Sequence, residues 1–383
     1  MEKLFDLQKI IKLRHELHKH PEPSDSEAQT ALRIINFMES YHPDQILTEL
    51  GGHGVAVVFK SGVEGPSVLF RCELDALPID DLIDEDYRSQ NPGVGHKCGH
   101  DGHMSIIAGL ADAFSKNKPK AGQVILLFQP SEENGQGAFR VVNDPKFKQL
   151  KVDYAFALHN LPGIKKGAVL LGEKNFASAS KGMIIKLTGK TSHAGEPENG
   201  NSPAIAMANI VKDLTSLPDK KETFSDFTLV TVIHARLGEI AFGTTPGYAE
   251  VMATLRSYTN SDMEILTKLA EEIAIKNAKE SKLKFDISYV EEFPATINDT
   301  KQVKHLEDVA QTYNIEYKYL EKPYKWSEDF AHFTLQFPGA LFGLGSGLDQ
   351  PQLHNPDYDF PDEIIENGVK MFYGIFNQLI KNK

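Results

Sequence analysis

Three short stretches of the chain concentrate side chains that bind metals and move protons. They are His96-Lys97-Cys98-Gly99-His100-Asp101-Gly102-His103, Gln129-Pro130-Ser131-Glu132-Glu133 and Leu158-His159-Asn160. Two more histidines, His193 and His354, lie far downstream in polar, turn-rich settings. A thiol, imidazoles and adjacent carboxylates are the donors and bases of a zinc- or manganese-type hydrolytic centre. Gly99 permits a tight turn that sends Cys98 and His100 to one side, and a thiolate can bind one metal or bridge two. Adjacent glutamates at a strand end need not point the same way. One of Glu132 and Glu133 can bind metal while the other faces water as general base. The bland alternatives are a loop thiol, a solvated acidic face and a structural histidine. The density of the first stretch and its neighbours weighs against them.

The elements that must position these residues alternate along the first ~180 residues, a length within the usual range for one domain. Leu4 to Lys19 reads as an amphipathic helix. Ser24-Asp25-Ser26-Glu27 resembles a capping box that opens a helix over Ala28 to Met38. Met104 to Phe114 has helical apolar spacing. Ser67 to Arg71, Gln123 to Phe128 and Val152 to Leu158 are short apolar runs. Such strands between helices predict an α/β fold with a mostly parallel, buried sheet. Arg71 to Asp75, Gln129 to Glu133, and His159 each follow an apolar strand. In open α/β sheets the ligand crevice lies outside those ends, so the three positions should converge.

The middle of the chain reads β-α-β-β-α-β, the order of a ferredoxin-like split unit. Its strands are Gly182 to Gly189, Phe227 to Ile233, Ala249 to Leu255 and Lys284 to Val290. Its helices open at Ser202-Pro203 and at a second capping box, Ser261-Asp262-Met263-Glu264. The edge strands of such a sheet leave edge-to-edge dimerisation open. If His354 joins the first cluster, the catalytic domain is discontinuous. It then comprises 1–178 and 291–383, with 179–290 inserted. A helix over Asp362 to Ile380 closes the chain.

Bulk properties narrow the class. With 383 residues two domains are expected, and 41% hydrophobic with 25% charged residues is a globular composition. A net charge of -12 argues against nucleic acid and anionic membranes as partners and leaves a small-molecule substrate. No stretch reads as a signal peptide or a membrane span. The two cysteines, Cys72 and Cys98, suit a reducing, cytoplasmic setting. His15, His18 and His20 share a charged helix and are expected to face solvent. His42, His53, His305 and His332 have no supporting neighbours. His96 and His103 could receive the second N–H of ligating histidines.

Together the motifs resemble the M20 metallopeptidase family, and more closely its amidohydrolase branch of N-acyl-amino-acid, hippurate and auxin-conjugate hydrolases. The matching pieces, in order along nearly the whole chain, begin with Arg14 to Glu22, Arg71 to Pro78 and His96 to His103. They continue with Gln129 to Glu133, Ala157 to Asn160, Ser192-His193-Ala194-Gly195 and His354-Asn355-Pro356. The resemblance implies two divalent metal ions per subunit, Mn2+ or Zn2+, with Co2+ or Ni2+ able to substitute. Cys98 would bridge them, with His100 and His159 completing one and Glu133 and His354 the other. Glu132 would be the general base and Asp75 an orienting carboxylate. The inserted domain would be a lid that also makes a homodimer or higher homo-oligomer. Its His193 would stabilise the oxyanion, in cis or from the partner subunit, and Arg256 would grip the substrate carboxylate.

The chain departs from the family where many relatives carry Asn-x-x-Pro in the lid. It reads Gly243-Thr244-Thr245-Pro246, so the Thr244 or Thr245 hydroxyl would have to substitute. Trp326, in Lys325-Trp326-Ser327-Glu328-Asp329, resembles part of a substrate-pocket loop. The implied reaction is cleavage of an N-acyl amino acid or related conjugate by attack of a metal-bridging hydroxide. The rival readings are an M20-type dipeptidase or carboxypeptidase and a non-catalytic, metal-stabilised binding protein. A bridging cysteine in place of a bridging aspartate favours the amidohydrolase branch.

Overall fold

The structure is a computed structural model that describes residues 4–381. It divides into two compact units. The first holds the described residues through Phe176, then Thr296–Lys322, and the described chain from Asp329 onward. The second holds Ala177–Ala295 and Pro323–Glu328. The short return at 323–328 lies inside the stretch expected to be wholly catalytic. Hydrogen bonds explain where it groups. Ser178 donates its N–H to Tyr324 O and Trp326 O, both at 3.0 Å. The Arg256 guanidinium donates to Lys325 O at 2.8 Å and Ser327 Oγ at 3.1 Å.

The first unit is α/β. Its eight-stranded sheet runs Gln45–Leu50, Gly54–Lys60, Gln123–Gln129, Ser67–Glu73, Tyr154–Pro162, Gly339–Gly347, Val169–Leu171 and Tyr317–Tyr319. Ser67–Glu73 lies parallel to both of its neighbours, and Tyr154–Pro162 parallel to Gly339–Gly347. The central strands are buried along nearly their whole length, as a sheet covered on both faces requires. Register aligns their polar ends, with Glu73 opposite Gln129 and His159 opposite Gly343.

Helix His100–Lys116 is buried from His100 through Phe114, so it is a core helix and not an amphipathic surface one. It begins one turn earlier than its apolar spacing suggests. His159 also lies within its strand, not beyond it. Helices Leu7–Lys19, Thr300–Thr312 and Ile365–Lys381 contribute Leu13, Leu17, Leu306, Phe372 and Ile375 to the same core. No helix among the described residues is long and apolar enough to cross a membrane.

The second unit has the order β-α-β-β-α-β. Its antiparallel sheet runs Thr228–Leu237, Tyr248–Ser257, Ala179–Thr188 and Lys284–Phe293. Tyr248–Ser257 alternates between buried and more exposed positions. Its buried face packs with helices Ala204–Ser216 and Asn260–Glu280 in a core that includes Ile185, Ile210, Leu214, Val251, Leu255 and Leu266. The second capping box is displaced. Thr259, not Ser261, caps the helix by accepting from Asp262 N at 3.1 Å.

Burial of His18 overturns the expectation that it faces solvent. Its side chain is 0% exposed, with Nδ1 2.8 Å from Asp101 Oδ2 and Nε2 3.1 Å from Asp81 Oδ2. Burial alone would lower its pKa. Asp101 and Asp81 outweigh burial and raise it to about 9. The charged imidazole therefore contributes stability fully below its unfolded pKa of about 6.5, and loses it as pH rises toward about 9. The Tm of the wild type should fall between those pH values more steeply than that of His18→Gln, measured by calorimetry. Parallel pH profiles for the two proteins would contradict the assignment.

Candidate metal centre

The Cys98-Gly99-His100 turn is set by backbone geometry. Gly99 has φ +89°, a left-handed conformation that costs glycine little. A Cβ there would lie 2.7 Å from the Asn160 side chain. Gly99 O accepts from Gly102 N at 3.0 Å and His103 N at 3.1 Å, starting the core helix directly after the turn. Cys98 and His100 thereby meet the strand end that carries His159.

The imidazoles are oriented by backbone carbonyls. His100 Nδ1–H donates to Asp75 O at 2.8 Å, and His159 Nδ1–H donates to Asn160 O at 2.9 Å. In the neutral ring each bond fixes the tautomer and makes Nε2 the lone-pair nitrogen, the one able to bind a cation. His159 Nε2 lies 3.5 Å from Cys98 Sγ. His100 Nε2 lies 3.9 Å from Glu132 Oε2 and 3.8 Å from Glu133 Oε1. His354 Nε2 lies 3.8 Å from Glu133 Oε2. Donor atoms of Cys98, His100 and His159 all fall within 4.8 Å of one another, as do those of Cys98, Glu133 and His354. The Cys98 sulfur belongs to both groups. Glu132 joins His100 and Glu133 in a third.

Electrostatics in this pocket favour a cation. Burial pushes the Cys98 thiol well above its ordinary value, and Glu133 and Glu132 push it further. Burial opposes protonation of His100, but Glu73, Asp75 and Glu133 outweigh it and raise the group to about 10. His159 is lowered to about 3 by burial and by His103. A divalent ion among these atoms would deprotonate the thiol and take up the imidazole lone pairs. The donor set thus fits one or more divalent cations.

The supporting residues are only partly those expected. Asp75 is fully buried, and its Oδ2 accepts from Ser24 Oγ at 2.7 Å and from Glu133 N at 3.0 Å. It therefore holds the Glu133 backbone, while its carbonyl holds His100. His103 takes no N–H from a ligating histidine. It stands 2.6 Å from Glu73 through Nδ1 and accepts from Asn160 N at 3.2 Å. Glu73 is paired with Arg71, which is also held by Asp329 and Gln129. His96 is buried and neither ring nitrogen has a hydrogen-bond partner among the described residues.

Residues 24–27, expected to cap a helix, do other work. Ser131 has φ +53°, a left-handed conformation unusual for a side-chain-bearing residue. Its N–H donates to Glu27 Oε1 at 2.8 Å, and its Oγ accepts from Asp25 N at 3.0 Å. The loop bearing Glu132 and Glu133 is thus pinned by a segment 104 residues earlier in sequence. Glu27 makes no side-chain cap bond to its own helix. The polar run Ser24 to Glu27 is visible in the sequence, but its partner is not.

The remaining candidates lie in the second unit. His193 is in the short strand Ser192–His193, paired with Thr244–Thr245 so that Thr244 stands opposite His193. Gly195 N donates to His193 Nδ1 at 3.1 Å, which leaves Nε2–H as a donor in the neutral ring. A side chain at Gly243 would meet nothing within 4 Å of its Cβ, so packing does not demand glycine there. Arg256 is half-buried and bonded to the 323–328 segment. In that same segment Tyr324 and Trp326 stack with ring centroids 4.7 Å apart.

Comparison with known proteins bears on this arrangement. The sequence model of Peptidase family M20/M25/M40 matches residues 69–378. An uncharacterized hydrolase of Staphylococcus aureus (strain bovine RF122 / ET3-1) is 26% identical over 381 residues, covering 97% of this chain and 98% of its own. The N-acetyldiaminopimelate deacetylase of Oenococcus oeni is 28% identical over 377 residues, covering 96% and 97%. Among solved structures, the Bacillus subtilis YXEP protein, a dinuclear metal-binding peptidase of the M20 family, superposes with a TM-score of 0.84. It is 22% identical and the match covers 98% of this chain and 99% of that one, a likeness of fold.

Gly99→Ala should test the turn. A Cβ in this left-handed position costs roughly 1–2 kcal/mol before the clash with Asn160 is counted. Lower Tm and reduced metal content by elemental analysis are expected. Wild-type values of both would contradict the geometry.

Proposed function

The chain belongs to Peptidase family M20/M25/M40 and is a metal-dependent amidohydrolase; on that premise we propose that it cleaves the amide of N-acyl amino acids or related conjugates at a two-cation centre. The observation that carries this reading is the Cys98 sulfur common to two donor groups, one with His100 and His159 and one with Glu133 and His354. Two cations, when bound, supply Lewis acidity and make water a nucleophile at neutral pH. Zn2+ suits the Cys/His donors and Mn2+ the carboxylate-rich surroundings, and Co2+ or Ni2+ could occupy the same donors.

The chain's own residues then divide the work. Glu132 takes the proton of the attacking water and passes it to the departing amine. Asp75 keeps Glu133 and His100 in place through the bonds described above. His193 donates Nε2–H to the scissile carbonyl oxygen, an interaction worth roughly 10²–10³ in rate when aligned. Arg256 pairs with the carboxylate of the amino-acid portion, and Thr244 or Thr245 supplies a hydroxyl where relatives carry an amide. The deacetylase relative supports this substrate class, because its named substrate is itself an N-acyl amino acid. A dipeptidase or carboxypeptidase activity is the second reading, supported by the fold likeness to an M20 peptidase.

A reduced Cys98 ligand suits the cytoplasm, and both cysteines are free thiols. The second unit also supports a homodimer. Among the described residues its terminal strand Thr228–Leu237 pairs on one side only, and Ile233, Ile240 and Phe242 on or near it are exposed.

Glu132→Gln should retain metal and lose most turnover, by roughly 10²-fold or more. Unchanged turnover with full metal content would remove Glu132 as the base. Wild-type protein assayed side by side should favour an N-acyl amino acid over a dipeptide; the reverse order selects the peptidase reading. Metal-dependent stabilisation with no cleavage of either would select a binding protein.

A further inference from the structure

Lys97 precedes Cys98 in sequence, and its side chain is 0% exposed. Its Nζ donates to the Asp81 carboxylate and to Tyr358 O, the latter at 2.9 Å. Its carbonyl accepts from His354 N at 2.8 Å. One residue therefore grips the 354–358 segment at both ends, by backbone at His354 and by side chain at Tyr358.

The segment needs such a grip. His354 has φ +65°, in the left-handed region that side-chain-bearing residues seldom occupy. Its side chain is 51% exposed, so packing does little to hold it. Other ties hold the same stretch: Leu82 N donates to Pro356 O at 2.9 Å, and Asp359, just beyond it, accepts from Tyr87 Oη at 2.6 Å and from the buried Arg14 at 2.8 Å. Asp81 is itself immobilised, accepting from Ser89 N at 2.7 Å and bonded to His18. Tyr358 also meets Asn160, the neighbour of His159.

A buried ion pair is seldom the cheapest way to fill a core, since apolar residues of similar volume often stabilise as well or better. What the ammonium adds is direction, because its N–H groups bond two acceptors on separate segments at once. We propose that Lys97 is a positioning residue that sets His354 against Cys98 and Glu133. It thereby couples the shared sulfur to the most loosely held donor of the centre. This rests on the reading that Cys98, Glu133 and His354 hold one of two cations.

The test is cation stoichiometry and affinity, measured by titrating metal-free protein with Mn2+ in a calorimeter. The variant is Lys97→Met/Asp81→Asn, which leaves no unpaired buried carboxylate. Wild type should take two ions per chain. The variant should keep one at wild-type affinity and bind the other about 10–100-fold more weakly. In a His354→Ala background the same double change should have no further effect on either ion. If the variant does not fold, judged by circular dichroism, Lys97→Gln/Asp81→Asn carries the same expectation. Two ions at wild-type affinity in the variant would overturn the role of Lys97 alone, as would equal weakening of both ions. Fewer than two ions in wild type would overturn the two-cation reading and this inference with it.

Discussion

The structure depends on bringing one buried sulfur within reach of donors from four separate segments. Thiol, imidazole and carboxylate groups are expensive to gather away from water unless something balances them. The shifts at Cys98, His100 and His159 are the local expression of that cost. A divalent cation resolves it, and the backbone carbonyls of Asp75 and Asn160 have already turned the imidazoles to receive one. Everything nearby serves that convergence. Parallel strands deliver Glu73, Gln129 and His159 to one end of the sheet, and a left-handed glycine folds Cys98 and His100 toward them.

Beneath the donors lies a second layer of buried charge. Arg71 joins Glu73, Gln129 and Asp329, and His103 connects Glu73 to Asn160. On another side Arg14, His18, Asp81, Lys97 and Asp101 form a continuous set of ion pairs and hydrogen bonds. Such networks specify one arrangement when fully satisfied and penalise others. The second set, through Lys97, helps the loop carrying His354 keep its left-handed backbone, while Glu27 and Asp25 hold Ser131 in its own.

Much of this is legible in the chain. Apolar runs such as Gln123 to Phe128 announce buried strands because both faces of the central sheet are covered. The middle unit's order follows from the same periodicity, and its strands and helices fall in that order. The candidate donors stand out because Cys, His and Glu crowd at turns where few other roles compete. The supporting residues are not. His18 sits in a helix rich in charge, and periodicity cannot distinguish a solvated histidine from one paired with Asp81 and Asp101. Ser24 to Glu27 satisfies the local rule for a cap, yet those side chains bond Ser131 and Asp75. Nothing local in the chain ties Lys97 to Tyr358, 261 positions away. Each of these three is a long-range pairing, and local pattern carries no information about the partner.

The most direct measurement is a crystal structure of the Mn2+- or Zn2+-loaded protein with anomalous scattering collected at the metal edge. Two peaks per chain are expected, roughly 3.5–4 Å apart. Both should lie at metal–sulfur bonding distance from Cys98, about 2.3 Å for zinc. A single peak, or two peaks of which one lies beyond bonding reach of that sulfur, would contradict the shared-cysteine centre.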